Sequence, residues 1–157
     1  MNNKYVVPST YNYDEKLIWE LLIYRDFIAF YNQNWDLIKN DFIEEGFFGI
    51  DGQRSSDKSS WCLYYDSLET YKIDWLRQSI EFNKNKFINN PLDVLFHTTI
   101  LSKIEIKDTV ALVHKEFNGV FTLLNKKTIY LNWLSLFVLR KTNKHWKIAS
   151  FIGYLPK

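Results

Sequence analysis

Ile100-Leu101-Ser102-Lys103-Ile104-Glu105-Ile106 carries the reading that decides the fold. Ile100, Ile104 and Ile106 alternate with Leu101, Lys103 and Glu105, the period of a β-strand and not of a helix. Downstream the pattern continues. Lys107-Asp108 makes a turn, and Thr109 to Leu124 reads as a second strand with a bulge expected near Asn118-Gly119. Asn125-Lys126-Lys127 turns the chain into a long third strand from Thr128 to Lys141. Thr142-Asn143-Lys144 leads to a fourth over about 145–154, which Pro156 ends. Four strands joined by short turns make an antiparallel meander. The change of period starts at Leu92, so His97 is expected on the first long strand.

Upstream the period is helical. Leu17, Leu21, Tyr24, Ile28 and Tyr31 recur at steps of four and three, with Asp14 and Glu15 in the first turn, and predict a helix over about 14–33 after an irregular lead-in over 1–13. Trp35, Ile38 and Phe42 predict a second helix over about 35–44, capped by Asn34 or Asn32 and stopped by Gly46. Phe47 to Ile50 reads as a short strand and Asp51-Gly52 as a turn. The serine-rich stretch 52–60 is a loop expected to be mobile and to flank a pocket mouth. Leu68, Tyr71, Trp75 and Phe82 mark the inner face of a third helix over about 67–83, and Asn83 to Pro91 is a loop. The expected architecture is one α+β domain over 1–157: three N-terminal helices on a strongly curved antiparallel sheet, a cone-shaped barrel with a pocket.

With 46% hydrophobic and 24% charged residues, the composition excludes disorder. The aromatic share, 18%, suits a thick core, a lined pocket or an adhesive interface. A net charge of +2 with scattered lysines offers no basic stripe, so no nucleic acid is expected as partner. Cys62 is the single cysteine, which excludes an internal disulfide and a cysteine metal cluster. Three histidines without close spacing give no metal motif, and five dispersed glycines give no phosphate-binding loop. Neither a metal nor another cofactor is expected. Met1 to Tyr13 has no apolar run of the signal-peptide kind, and no stretch is long enough to span a membrane. The expectation is a soluble cytoplasmic protein with no membrane partner. Abundant Lys and Asn with sparse Gly and Ala suggest an AT-rich bacterial genome.

The order of elements resembles the nuclear transport factor 2-like superfamily, which includes ketosteroid isomerase, scytalone dehydratase and the SnoaL-like cyclases. The residues that carry the resemblance are the long first helix, Asn34-Trp35-Asp36, Phe42 to Asp51, and Lys144 to Ile148 followed by Phe151. It implies a curved sheet, a pocket on its inner side and a homodimer formed through the sheet. The ketosteroid isomerase template would place a general-base Asp near Asp51 and an oxyanion-binding Tyr at Tyr24 or Tyr31. Its third group, a protonated Asp, falls near Ser135, and no Asp or Glu follows Phe117. That triad is incomplete, so the isomerase reaction is not carried over. His97 and His114 hint at the dehydratase pattern.

Among single residues, His97 and Asp51 are the candidates for acid–base chemistry, each weighed against an ordinary strand histidine and an Asp-Gly turn. Tyr31, Tyr65, Trp75, Trp133, Ser135 and Phe137 are candidate ligand contacts, with Trp133, Ser135 and Phe137 on one strand face. The competing reading is that these rings fill the core or an interface. Asp26 with Arg25, and Asp74 with Arg77, read as surface ion pairs with a neighbouring aromatic that would let one point inward. Three functions compete: binding of a small apolar or aromatic molecule, a cofactor-independent isomerase, dehydratase or cyclase, and a dimerisation or interaction module without catalysis.

Overall fold

The computed structural model describes residues 4–157; the first three residues of the expected lead-in lie outside it. The first helix runs unbroken in three parts: α1 (Tyr13–Trp19), a wide π turn (Glu20–Arg25) and α2 (Asp26–Tyr31). Asn12 starts it with a capping box, its Oδ1 accepting from Glu15 N–H while the Glu15 carboxylate accepts from Asn12 N–H. The remaining elements are β1 (Phe48–Asp51), β2 (Cys62–Tyr65), α3 (Leu68–Asn83), α4 (Pro91–Thr98), β3 (Thr99–Lys107), β4 (Val110–Thr122), β5 (Thr128–Thr142) and β6 (His145–Leu155). α3 begins at Ser67, which forms a capping box with Thr70.

The meander β3–β4–β5–β6 is antiparallel throughout. β1 lies parallel beside β6, and β2 pairs with β1 at the edge, giving the order β2-β1-β6-β5-β4-β3. The sheet is curved and unclosed, and helices cover its inner face. That face follows the strand alternation: Ala111, Val113, Lys115, Phe117 and Phe121 on β4 stand opposite Leu139, Phe137, Ser135, Trp133 and Ile129 on β5. Ile18, Leu21 and Leu22 of the first helix pack into the core with Ala111, Val113 and Leu139.

Four local expectations are corrected. The second helix is two 3-10 turns, Trp35–Leu37 and Lys39–Asp41, because Trp35, Ile38 and Phe42 all bury in the same core. Trp35 stacks on Phe42 at 5.2 Å, and the Arg25 guanidinium grips Asp41 with two hydrogen bonds of 2.9 Å. β2 lies in the stretch 61–66, between the loop over 52–60 and the third helix, where no element was expected. Leu92 to Thr98 is helix and not strand, since Asn90 Oδ1 accepts from the N–H groups of Leu92 and Asp93 and Pro91 occupies the first turn. Finally, no bulge occurs near Asn118-Gly119, whose pairing with Asn132 and Leu131 is continuous. Gly119 is there because Thr98 lies against it: an added Cβ would stand 2.3 Å from Thr98 Cγ2.

Candidate functional site

Between the helices and the inner face of the sheet lies a cavity of about 380 Å³, with a smaller lobe of about 130 Å³. Asp26, Tyr71, Trp75, Gln78, Phe117, Trp133 and Tyr154 border both, so the two adjoin. Phe27 and Phe30 come from the first helix, Trp75 and Phe82 from α3, and Phe117, Phe121 and Trp133 from the sheet. Phe117 and Trp133, cross-strand partners, stack at 4.4 Å.

The polar floor belongs to Lys115. Alternation puts it on the inner face, and it is 2% exposed. Its ammonium donates to Asp26 Oδ2 at 2.8 Å and to the backbone oxygen of Leu22 at 2.5 Å. The π turn explains the second acceptor. There the Asp26 N–H donates to Ile23 O, so Leu22 O does not receive the Asp26 N–H that an α-helix would give it. The ammonium also lies 4.6 Å from the Phe27 ring centroid and 5.2 Å from that of Phe117. A buried charge persists only when paired and hydrogen-bonded, and both conditions are met. Ser135, directly across from Lys115 on β5, shares the floor.

Tyr71 reaches the cavity from α3. Burial pushes its hydroxyl well above the ordinary tyrosine range, and the nearby Asp26 charge adds to this. It stays protonated, and no hydrogen-bond partner is found for it among the described residues. At the mouth, Tyr65 donates to Asp74 Oδ2 at 2.5 Å, Gln78 donates to the same oxygen at 2.6 Å, and Arg77 holds Oδ1. Burial raises the Asp74 pKa, but these donors outweigh it and leave the carboxyl below its usual range. Arg54, from the loop after β1, lies over the rings of Trp133 and Tyr154 at 5.2 and 5.3 Å, so that loop does stand beside the cavity.

Tyr65, Trp75, Trp133, Ser135 and Phe137 border the cavity. Tyr31 is not among the bordering residues. Asp51 ends β1 at the smaller lobe, its carboxylate accepting from Gln53 N–H at 2.7 Å, the local turn contact foreseen for Asp-Gly. His97 is corrected from strand to helix. It sits exposed in the last turn of α4 with Nδ1 2.6 Å from Asp93 O, because Asn90-Pro91 starts a helix there. The cavity lining includes neither it nor His114. The Asp74–Arg77 pair is present, whereas Arg25 bonds Asp41 and Asp26 bonds Lys115, so Arg25 and Asp26 are not each other's partners. Lys115 itself was missed. Its signal was its place in the series Ala111, Val113, Lys115, Phe117 on an inward-facing strand edge.

No protein-family model matches the chain, and no curated protein does. Solved structures do. A nuclear transport factor 2-like protein of unknown function from Shewanella baltica is 14% identical, with a TM-score of 0.52, over 93% of this chain and 96% of that one. A nuclear transport factor 2-like superfamily protein from Salmonella enterica is 14% identical with a TM-score of 0.58, over 92% and 94%. A domain of unknown function with a cystatin-like fold from Nostoc punctiforme has a TM-score of 0.57 at 12% identity, over 92% and 78%. The chain has the nuclear transport factor 2-like α+β fold, and the likeness at this identity concerns the fold alone. No helix among the described residues is long and apolar enough to cross a membrane.

Proposed function

We propose that the protein binds a small, flat, largely apolar molecule in the cavity between the helices and the sheet. The observation that carries this reading is the cavity of about 380 Å³ walled by aromatic rings, with one end polar. That volume is in the range of small-molecule sites, which combine apolar walls with a few polar groups that fix orientation. Trp133 is a wall residue stacked on Phe117, and its removal takes away the largest flat surface on the sheet side. Calorimetric titration with 2-naphthol tests the reading. Saturable one-to-one binding is expected, weakened about tenfold in Trp133→Ala, the order of one aromatic stacking contact. Absence of saturable binding of 2-naphthol, naphthalene and 2-naphthoate alike to the unmodified protein refutes it.

A second reading, association of two copies through the sheet, is favoured by the outer face. Leu112, Val120 and Tyr130 are 47%, 41% and 68% exposed there. Val138 stands directly opposite Leu112, and Tyr130 opposite Val120, and between these two apolar pairs Leu136 and Leu134 on β5 face His114 and Glu116 on β4.

A further inference from the structure

At the floor of the smaller lobe Lys115 and Asp26 answer each other's charge, but hydrogen-bonding capacity remains. Lys115 supplies one cation and Asp26 one anion, 2.8 Å apart. Asp51 borders the same lobe from the end of β1 and Arg54 lies over Trp133 and Tyr154, but a carboxylate or ammonium seated against Lys115 and Asp26 themselves would meet charges already paired with each other. Hydrogen-bonding capacity, by contrast, is left over. The Lys115 ammonium takes Asp26 Oδ2, and Oδ1 accepts nothing among the described residues. Ser135 is 6% exposed and borders the lobe, yet its hydroxyl makes no hydrogen bond among the described residues. The Tyr71 hydroxyl is in the same condition. Three polar groups that open on one end of the cavity without a partner among the described residues offer hydrogen bonds to a molecule that enters it.

One acceptor beside two hydroxyls selects among neutral groups. A ketone or ether only accepts, so it would serve Ser135 or Tyr71 and leave Asp26 Oδ1 bare. An alcohol or phenol both donates and accepts. Resting on the pocket reading above, we infer that the ligand is a neutral alcohol or phenol, whose hydroxyl donates to Asp26 and accepts from Ser135 or Tyr71. The aromatic walls favour the phenol.

Three probes of one ring system decide it: naphthalene, 2-naphthol and 2-naphthoate, each titrated into the full chain by calorimetry. The inference expects 2-naphthol to bind at least fivefold tighter than either of the others, the gain of one neutral hydrogen bond. It also expects Ser135→Ala/Tyr71→Phe to reduce that preference, the bond to Asp26 remaining, while naphthalene affinity holds. Naphthalene or 2-naphthoate binding as tightly as 2-naphthol overturns the hydroxyl assignment and leaves the pocket reading standing. No binding of any probe overturns both. Should the double variant fail to fold, the three-probe comparison on the unmodified protein still decides.

Discussion

Replacing Lys115 by Met puts the account of the cavity floor at risk. Met matches the length of the lysine stem and removes the charge. The change strips the ammonium from Asp26 and from Leu22 O, both held within 2.8 Å. Breaking a buried ion pair from one side costs about 3–5 kcal/mol, because the remaining charge is left uncompensated. The lower end applies, since the Asp26 side chain keeps 31% exposure and Lys115 only 3%. A loss of about 3 kcal/mol is therefore expected, which moves the urea midpoint by about 1.5 M at a slope of about 2 kcal/mol/M. Asp26→Asn and the double variant complete a cycle whose coupling should exceed about 1 kcal/mol. Unfolding followed by tryptophan fluorescence supplies all four stabilities. A Lys115→Met loss below about 1 kcal/mol, or a coupling near zero, would falsify the view that the pair is buried and mutually dependent.

Acid stability tests another contact. Lys141 and Trp146 both donate to Asp14 Oδ1, at 2.7 and 2.8 Å, and hold that carboxyl below its ordinary range. A lowered folded pKa means that the contribution is present above the unfolded value, about 4, and is lost as pH falls through the folded one. Asp14→Asn should thus be less stable than the unmodified protein near neutrality, with the gap in urea midpoint closing from about pH 5 downward; a gap independent of pH contradicts this. For the outer face, sedimentation should show a dimer that Leu112→Glu converts to monomer without loss of helix signal, and a monomeric unmodified protein rules the association out.

Much of the architecture was legible because period and burial agree. The inward series on β4 and β5 alternates without interruption, and the spacing from Leu17 to Tyr31 is that of one helix face. The failures have physical causes. Trp35, Ile38 and Phe42 have helical spacing, but all three rings and branches enter one core, and tertiary packing overrode the helix. Asn90-Pro91 was a start signal that the apolar run behind it obscured, and His97 was displaced with it. The candidate site was half legible. Its rings could be found by size and alternation, whereas the Asp26–Lys115 contact joins residues 89 apart, and a lysine is by default assigned to solvent. The π turn has no sequence signature of its own, so the carbonyl that receives Lys115 could not be foreseen.

That turn also sets a phase. Each residue of an α-helix advances the helix by about 100°, and a π turn holds one residue more than its α counterpart. Deleting a single residue within Glu20–Arg25 would restore regular winding and rotate everything beyond it by about that angle. Ile18 would still face the sheet, but Asp26 would swing away from Lys115 and Arg25 from Asp41. The first helix thus consists of two segments indexed differently, one to the core and one to the cavity. A single inserted residue is the gear between them.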